Sequence, residues 1–277
     1  MIKTDNNIEV QGKHRIIRTA RDFEEWSWGY GDCLMFVNIY ADDSGTHAGA
    51  PVQTLSGLIA RTSTWANFTP EWSNAIKKLK FEGPYFHYTE WRFAQKCLLS
   101  GNPPKRFQDS HYSGWKLNEL TDFGLALAKI VGRGGLYPVC GGVNVPISSD
   151  PHKDALICFF DSVRTELDRH LSNLNQPESV TVFFDQNSDP VWLAKIHATF
   201  NDAKVKDKRL KTYGFATMLS DLPMQAADML AGKCREIGER GLKDGYFLHL
   251  ARNGDCFERA LFRSVIRSAK KENKTKR

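Results

Sequence analysis

The sequence lacks the features that mark several large classes of protein. Its six cysteines form no C-x-x-C pair, which argues against zinc and dithiol redox motifs and favours reduced thiols in the core. No apolar run reaches the length of a membrane span, and the N-terminal stretch contains no apolar signal segment. The chain also has no internal repeat and no low-complexity linker. These absences predict a cytoplasmic protein with no membrane partner, and they leave its oligomeric state unknown.

The bulk composition is that of an ordinary globular protein. The chain has 277 residues, of which 41% are hydrophobic and 25% are charged, and it is long enough to bury a large core. Its formal net charge of +6 is compatible with a nucleic-acid partner but does not require one. We therefore expect a single domain over residues 1–277, with a short helix and a basic, solvated tail over residues 246–277.

The stretch LMFVNIYADDSGT, residues 34–46, combines a buried strand with two acids. Its first residues are almost all apolar, which is typical of a strand that is buried on both faces. Asp42 and Asp43 follow directly, so we expect their carboxylates at the rim of the core, where ions and water reach them. This pattern is typical of a metal site or an acid–base site. An Asp-Ser-Gly turn between two strands is the simpler alternative.

The order of the remaining elements predicts an α/β fold with a mixed sheet. Residues 54–61 alternate as the antiparallel partner of the first strand, and residues 65–132 have the spacing of helices. We interpret residues 65–132 as a helical insertion. After it, strands and helices alternate, which is typical of parallel strands with helices packed on the sheet. The first strands are therefore expected to be antiparallel and the later ones parallel, with helices on the flanks.

Two further acids occur where the same site would need them. The apolar strand SVTVFF ends in Asp185, and neighbouring parallel strands bring their carboxyl ends to one edge of a sheet. Asp228 lies beside the inward face of the helix LPMQAADMLAG, where a carboxylate is costly to bury unless it binds something. An aspartate on the helix surface is the alternative for Asp228. We expect Asp185 and Asp228 to converge on Asp42.

Four short segments occur in a characteristic order: residues 40–45 (YADDSG), 86–90 (FHYTE), 182–185 (VFFD) and 222–232 (LPMQAADMLAG). Together they resemble an uncharacterised family of bacterial and phage proteins, a domain of unknown function. Its marks are Y-x-D-E-S-G, F-H, a strand ending in D, and L-Q-x-A-D-x-x-A-G. The resemblance covers most of the chain. It departs from the family at Asp43, where glutamate is usual, and at Met224, where leucine is usual.

The resemblance implies a ribonuclease H-like fold and a nuclease-like metal site. Cleavage of a phosphodiester bond needs an activated water and a stabilised leaving oxygen, and two Mg²⁺ or Mn²⁺ ions about 4 Å apart supply both. Asp42 is expected to bridge the ions, with Asp185 and Asp228 as one ligand each. Asp43 or Glu90 is the expected fourth ligand.

His87 and Gln225 are further candidates for the same site. His87 is expected to shuttle a proton or to contact phosphate, and a histidine buried among aromatic residues is the alternative. Gln225 occurs one turn before Asp228 and is expected to hold substrate or to orient that carboxylate. The helical insertion, which carries tryptophans and tyrosines together with His87 and Glu90, is expected to cover the site as a lid or as a surface for base stacking.

Two other functions fit parts of the pattern. A haloacid-dehalogenase-like phosphohydrolase would use Asp42 as its nucleophile in a D-x-D-x-T motif, but Ser44 occupies the position of the general acid. A non-catalytic protein would use the acids to hold a structural ion or the basic patch of a partner, and fold alone does not separate it from an enzyme. The sequence favours a metal-dependent phosphodiesterase and does not distinguish DNA from RNA as its substrate.

Overall fold

The computed structural model describes residues 36–45, 50–145, 148–170 and 179–240. Within these ranges the chain forms five strands and seven helices. The strands are β1 (Phe36–Ser44), β2 (Val52–Arg61), β3 (Tyr137–Asn144), β4 (Ser179–Asp185) and β5 (Leu210–Ala216). The helices are α1 (Thr62–Lys78), α2 (Tyr88–Ser100), α3 (Lys105–Gln108), α4 (Leu117–Val131), α5 (Pro151–His170), α6 (Pro190–Lys206) and α7 (Leu222–Arg240).

The five strands form one mixed sheet in the order β3-β2-β1-β4-β5. Strands β1, β2 and β3 are antiparallel neighbours, whereas β4 and β5 run parallel to β1. Helices α5 and α6 make the crossovers that lead into the two parallel strands. This arrangement confirms the predicted α/β class and the mixed sheet, and it is consistent with a ribonuclease H-like fold.

Strand β1 lies at the centre of the sheet and is buried on both faces, as its apolar sequence predicts. Its side chains alternate between two cores. Val37, Ile39 and Ala41 belong to the core that α5 and α6 cover, whereas Tyr40 belongs to a second core that α7 and helices α1 to α4 cover. The position of a residue along β1 therefore decides which of two separate cores its side chain reaches.

Helices α1 to α4 occupy the connection between β2 and β3 and pack on the same face of the sheet as α7. Aromatic side chains hold them there. Trp65 of α1 packs edge-on against Tyr40 with ring centroids 5.0 Å apart, and Phe86, just before α2, packs against Phe123 of α4. The helical region predicted over residues 65–132 thus covers the face of the sheet to which Tyr40 points.

Strand β1 is followed by a backbone conformation that only glycine accommodates. Gly45 has a φ of +84°, and a Cβ atom there would lie 2.1 Å from the carbonyl oxygen of Val52. The residue before Gly45 is the last of β1, so Asp42 and Asp43 lie within the final three residues of the strand.

Some of the sequence predictions lie outside the described residues. These include the C-terminal helix and basic tail over residues 246–277, as well as Cys33 and Cys256. The cysteines that the structure does describe are free thiols. In the described part of the chain, no helix combines the length and the apolar character that crossing a membrane requires.

Candidate acidic site at the carboxyl end of the sheet

The parallel register of β1 and β4 sets Asp42 beside Asp185. Tyr40 pairs with Phe183 in this register, and the two rings stack with their centroids 5.1 Å apart. Asp42 and Asp185 each follow two residues later, so they reach the same face of the sheet at the carboxyl ends of adjacent strands. The convergence expected for these two acids follows from strand pairing.

Asp228 reaches the same place from α7. Asp228 and Asp42 are buried, with 6% and 5% of their surface exposed, and their carboxyl groups are hydrogen-bonded to each other. The backbone N–H of Tyr88 donates a second hydrogen bond, of 2.7 Å, to Asp228 Oδ2. The start of a helix favours a negative charge, so this contact suits the carboxylate. Asp228 thus joins α7 to the first residue of α2 and lies against Asp42.

The small residues of α7 explain how Asp228 comes so close to its neighbours. Ala226, Ala227 and Ala231 are buried without any exposed surface. A Cβ atom at Gly232 would lie 2.0 Å from the ring of Tyr88, so α7 and α2 approach each other at a point where only glycine fits. The segment around Asp228 therefore allows α7 and α2 to pack closely, and it also supplies a carboxylate.

Burial and mutual repulsion weaken the acidity of these carboxyl groups. Burial raises the pKa of Asp42 well above its usual range, and the charges of Asp228, Asp43 and Asp185 raise it further. Burial likewise raises the pKa of Asp228 to about 6 and raises the pKa of Asp185. The pair of Asp42 and Asp228 therefore binds protons more tightly than ordinary aspartates do.

The imidazole of His87 lies in the electrostatic range of two of the acids. Its charge opposes the effect of burial and lowers the pKa of both Asp228 and Asp185. Within the described ranges, His87 Nδ1 is buried without a hydrogen-bond partner, and it lies 3.8 Å from Glu90 Oε1. The structure thus brings His87 to the acids, and its role in proton transfer or phosphate binding stays a prediction.

The two candidates for a fourth acid have different positions. Asp43 follows Asp42 by one residue, so strand alternation turns its side chain to the opposite face, the face of its cross-strand neighbour Leu55. The backbone N–H of Asp43 donates a hydrogen bond of 2.8 Å to Asp42 Oδ1. Glu90 lies in the first turn of α2, three residues after His87. The backbone of Asp43 thus helps to orient Asp42, and the choice between Asp43 and Glu90 as the fourth ligand stays a prediction.

Gln225 is built into the wall of the site. It is 1% exposed, and its Oε1 accepts hydrogen bonds from Trp72 Nε1 at 3.0 Å and from the backbone N–H of Phe86 at 3.1 Å. Its Nε2 donates to the carbonyl oxygen of Met218 at 2.7 Å. These bonds fix the segment that carries His87 relative to α7. Contact between Gln225 and a substrate stays a prediction.

Tyr112 is a neighbour of the acids that sequence reasoning missed. Its ring packs against Phe81, and its hydroxyl is buried without a hydrogen-bond partner among the described residues. Burial raises the pKa of Tyr112, and the charges of Glu90 and Asp228 raise it further. In the sequence it occurs in the polar turn SHYSGW, residues 110–115, which has no periodicity or motif that would identify it.

The residue types at the acidic site are ones that bind hard divalent cations. Carboxylate oxygens with one nearby imidazole are ligands that Mg²⁺ and Mn²⁺ accept. Across the described ranges, however, no three His, Cys, Asp or Glu side chains are already grouped closely enough to hold a metal ion. The oxygens that already meet are those of Asp42 and Asp228, so this contact is the starting point of any cation site.

Comparison with models of protein families finds no family that matches the chain, and comparison with curated proteins finds no significant match. The resemblance to a family of unknown function therefore stays an expectation.

Proposed function

We propose that this protein is a metal-dependent phosphodiesterase, a nuclease-like hydrolase that works with Mg²⁺ or Mn²⁺. One observation carries the proposal. Asp42, Asp185 and Asp228 converge from two strands and a helix, and no lysine or arginine of the described residues forms an ion pair with any of them. Buried acids that lack a basic partner lower the stability of the fold unless a cation neutralises their charge.

The Asp42–Asp228 pair is where a divalent cation would compensate the buried negative charge. When bound, such an ion supplies an activated water and a counter-charge for the leaving oxygen of a phosphodiester. Asp42 would bridge two ions, and Asp185 and Asp228 would each contribute one ligand. Asp228 has one oxygen available for this purpose, because Oδ2 accepts the backbone N–H of Tyr88.

The protein itself would orient the ligands and move a proton. Backbone N–H groups of Asp43 and Tyr88 hold Asp42 and Asp228, so both carboxylates have defined directions before a substrate arrives. His87 is partly exposed and its Nδ1 has no hydrogen-bond partner in the described structure, so the imidazole would accept or donate a proton at a substrate oxygen. The formal net charge of +6 supports binding of a polyanion.

Cleavage of labelled single- and double-stranded DNA and RNA tests the proposal. We expect cleavage with Mg²⁺ or Mn²⁺ and none with EDTA. Asp42→Asn and Asp228→Asn should each reduce the rate by at least about 100-fold, which is the upper range for losing a group that only orients a metal ligand. Asp202→Asn, at an exposed position of α6, is the matched control and should keep the activity of the wild type.

Identical residual cleavage by the wild type, Asp42→Asn and Asp228→Asn would identify a contaminant and contradict the proposal. Loss of activity in the Asp202→Asn control would show that the assay responds to any lost carboxylate and not to the acidic site.

A non-catalytic protein that binds a cation or a basic partner is the second candidate function. The hydrogen bond from Tyr88 to Asp228 favours it, because this contact gives the buried carboxylate a structural use. Saturable binding of Mn²⁺ together with no cleavage of any of the four substrates would favour this candidate over the nuclease.

A further inference from the structure

Lys80 has a backbone conformation that favours glycine. Among the described residues it is the one residue other than glycine with a positive φ, of 54°. The N–H of Lys80 donates to the carbonyl oxygen of Lys77, and the N–H of Phe81 donates to that of Ile76, so α1 ends in a tight left-handed turn. Glycine is the usual residue at this place in the turn, because a Cβ atom is strained there. A strained lysine that the fold retains is a candidate for a function of its side chain.

Two further lysines extend the positive charge at Lys80. Lys77, Lys78 and Lys80 are exposed, and none of them forms an ion pair with a described residue. The C-terminal end of a helix suits basic residues, which accounts for Lys77 and Lys78 in the last turn of α1, but Lys80 lies beyond the helix. The connection between β2 and β3, residues 62–136, has ten basic and six acidic side chains. The three lysines therefore lie on a basic part of the chain.

Accessible aromatic rings lie beside these lysines. Phe81 follows Lys80, and its ring contacts those of His111 and Trp115, with centroids 6.2 and 6.4 Å away. Phe81 is buried, whereas His111 is exposed and Trp115 is half-buried. Proteins hold single-stranded nucleic acid with this combination, because cations contact the phosphates and aromatic rings stack on unpaired bases. We call the following residues the lysine–aromatic patch: Lys77, Lys78, Lys80, His111 and Trp115.

Stacked rings connect the patch to the acidic site. Phe81 stacks on Phe123 with centroids 5.4 Å apart, and Phe123 packs against Phe86 at 5.8 Å. Phe86 directly precedes His87, whose charge acts on Asp228. These rings belong to the core that α7 covers. The patch and the acidic site therefore lie on the same face of the sheet, and two ring contacts separate Phe81 from the segment that carries His87.

We propose that the lysine–aromatic patch binds single-stranded nucleic acid, with phosphates at the lysines and an unpaired base stacked on Trp115. A duplex does not suit this surface, because its bases are stacked on one another and their faces are inaccessible. The choice of a polyanion rests on the proposed function, and the inference adds the class of substrate, an unpaired strand. Binding at the patch involves no metal ion, so it is measurable in EDTA.

Fluorescence anisotropy of a labelled strand of about 12 nucleotides, in EDTA, measures this binding. DNA and RNA strands of the same sequence are both titrated, and saturable binding of either one supports the proposal. The triple variant Lys77→Gln, Lys78→Gln, Lys80→Gln should bind at least about 10-fold more weakly than the wild type. Its slope of log K against log salt should be shallower by about 2, because each phosphate contact on a single strand contributes about 0.7. No binding of either strand by the wild type would overturn the proposal.

The matched control removes the same charge elsewhere. The triple variant Lys206→Gln, Lys208→Gln, Lys211→Gln changes three exposed lysines near the turn between α6 and β5, beside the opposite core. It should bind the strand like the wild type. An equal loss in the two triple variants would show that affinity follows net charge, which would overturn a role for the patch.

Trp115→Leu tests the stacking of a base. Leucine keeps an apolar side chain against Phe123, which the ring of Trp115 contacts at 5.3 Å. This variant should bind the single strand about 10-fold more weakly and should leave the affinity for a duplex of the same length unchanged. Equal affinity of the wild type for the strand and the duplex would contradict the proposal.

Lys80→Gly separates function from stability without a risk to the core. It removes a charge and the strain of the left-handed turn, so it should melt about 2 °C above the wild type. Its slope of log K against log salt for the strand should be shallower by about 0.7. A lower melting temperature, or unchanged binding, would show that the side chain of Lys80 is structural and would overturn its role.

These outcomes are distinguishable from failure of the proposed function. If the wild type binds the strand at the patch but cleaves no phosphodiester with Mn²⁺, the phosphodiesterase proposal is wrong and the patch stands. If the wild type cleaves and the variant without Lys77, Lys78 and Lys80 binds the strand normally, the patch is wrong and the function stands. A wild type that neither binds nor cleaves contradicts both.

Discussion

Buried acids have opposite surroundings in two parts of this molecule. In the acidic site, Asp42 and Asp228 contact each other, and burial raises the pKa of both. On the other side of the sheet, Asp207 is also buried but forms an ion pair with Arg209 at 2.6 Å. Burial alone would raise the pKa of Asp207, but the hydrogen bonds and the charge of Arg209 lower it.

Glu236 repeats the second pattern on α7 itself, two turns after Asp228. Arg92 approaches Glu236 to 2.7 Å and Lys233 to 3.3 Å, and together they lower its pKa against the effect of burial. The fold thus provides basic partners for buried acids elsewhere, even on the helix that carries Asp228. The acids without a basic partner therefore lie locally, at the carboxyl end of the sheet, where a bound cation would neutralise their charge.

The largest effect is expected where a paired acid loses its partner. Arg209→Met should lower the free energy of unfolding by about 3 kcal/mol, because Asp207 stays buried without a cation. Urea denaturation measures this change. Arg133→Met is the control, since the ion pair of Arg133 with Glu71 is exposed, and it should cost less than about 1 kcal/mol. If Arg209→Met lowers the free energy of unfolding no more than Arg133→Met does, Arg209 does not compensate the buried charge of Asp207, and the contrast with the acidic site fails.

The pH dependence of stability should separate the two kinds of acid. Burial raises the pKa of Asp228 from 3.8 to about 6, so the folded protein holds this proton more tightly than the unfolded chain does. Stability present near pH 4 is therefore lost as the pH rises through about 6, by about 3 kcal/mol for Asp228 alone. The pKa of Asp207 is lowered in the folded protein. The stability that Asp207 contributes is therefore fully present above its pKa in the unfolded chain, and it is lost only as the pH falls into the acid range.

Urea denaturation in EDTA, at several pH values between about 4 and 7, measures this slope. Asp228→Asn should reduce this slope, and the part that comes from the raised pKa of Asp42 and of Asp185 should remain. Burial lowers the pKa of His152 and His170, which gives an opposite slope near the upper end of the range, but this slope is common to both proteins. Identical pH profiles for the wild type and Asp228→Asn would show that the acidic site does not bind protons as its surroundings imply.

The smallest effect is expected from removing one charge of the acidic site. Burial raises the pKa of Asp185, so Asp185→Asn should leave the melting temperature without metal unchanged or raise it. The same variant should lose the stabilisation that Mn²⁺ gives to the wild type. Thermal melting with and without Mn²⁺ measures both changes. A clear drop in stability without metal would mean that Asp185 is held by hydrogen bonds for a structural purpose.

The sequence predicts the part of the site that depends on strand ends and helix periodicity. Apolar runs before Asp42 and Asp185 mark two buried strands, and the alternation of helices and strands in the second half implies that those strands are parallel. Once two parallel neighbours are paired, their terminal acids have to meet. Asp228 is predicted for a related reason, since a carboxylate among small apolar residues requires a partner.

The parts that sequence reasoning missed depend on contacts between distant segments. Gln225 bonds to Trp72 and Phe86 across more than a hundred residues, and no local pattern indicates which side chains its amide will meet. Tyr112 is missed for the same reason, because its position follows from the stacking of aromatic rings between helices. Whether Asp43 or Glu90 is the fourth ligand stays a prediction.

The central claim is that the contact between Asp42 and Asp228 is a site for a divalent cation. A crystal grown with Mn²⁺, with an anomalous difference map recorded at the manganese edge, tests this claim most directly. The account predicts a peak between Asp42, Asp228 and Asp185, with carboxylate oxygens at about 2.2 Å, a distance between those of Mg²⁺ and Ca²⁺ sites. An absent peak, with the carboxyl groups of Asp42 and Asp228 still hydrogen-bonded to each other, would contradict it.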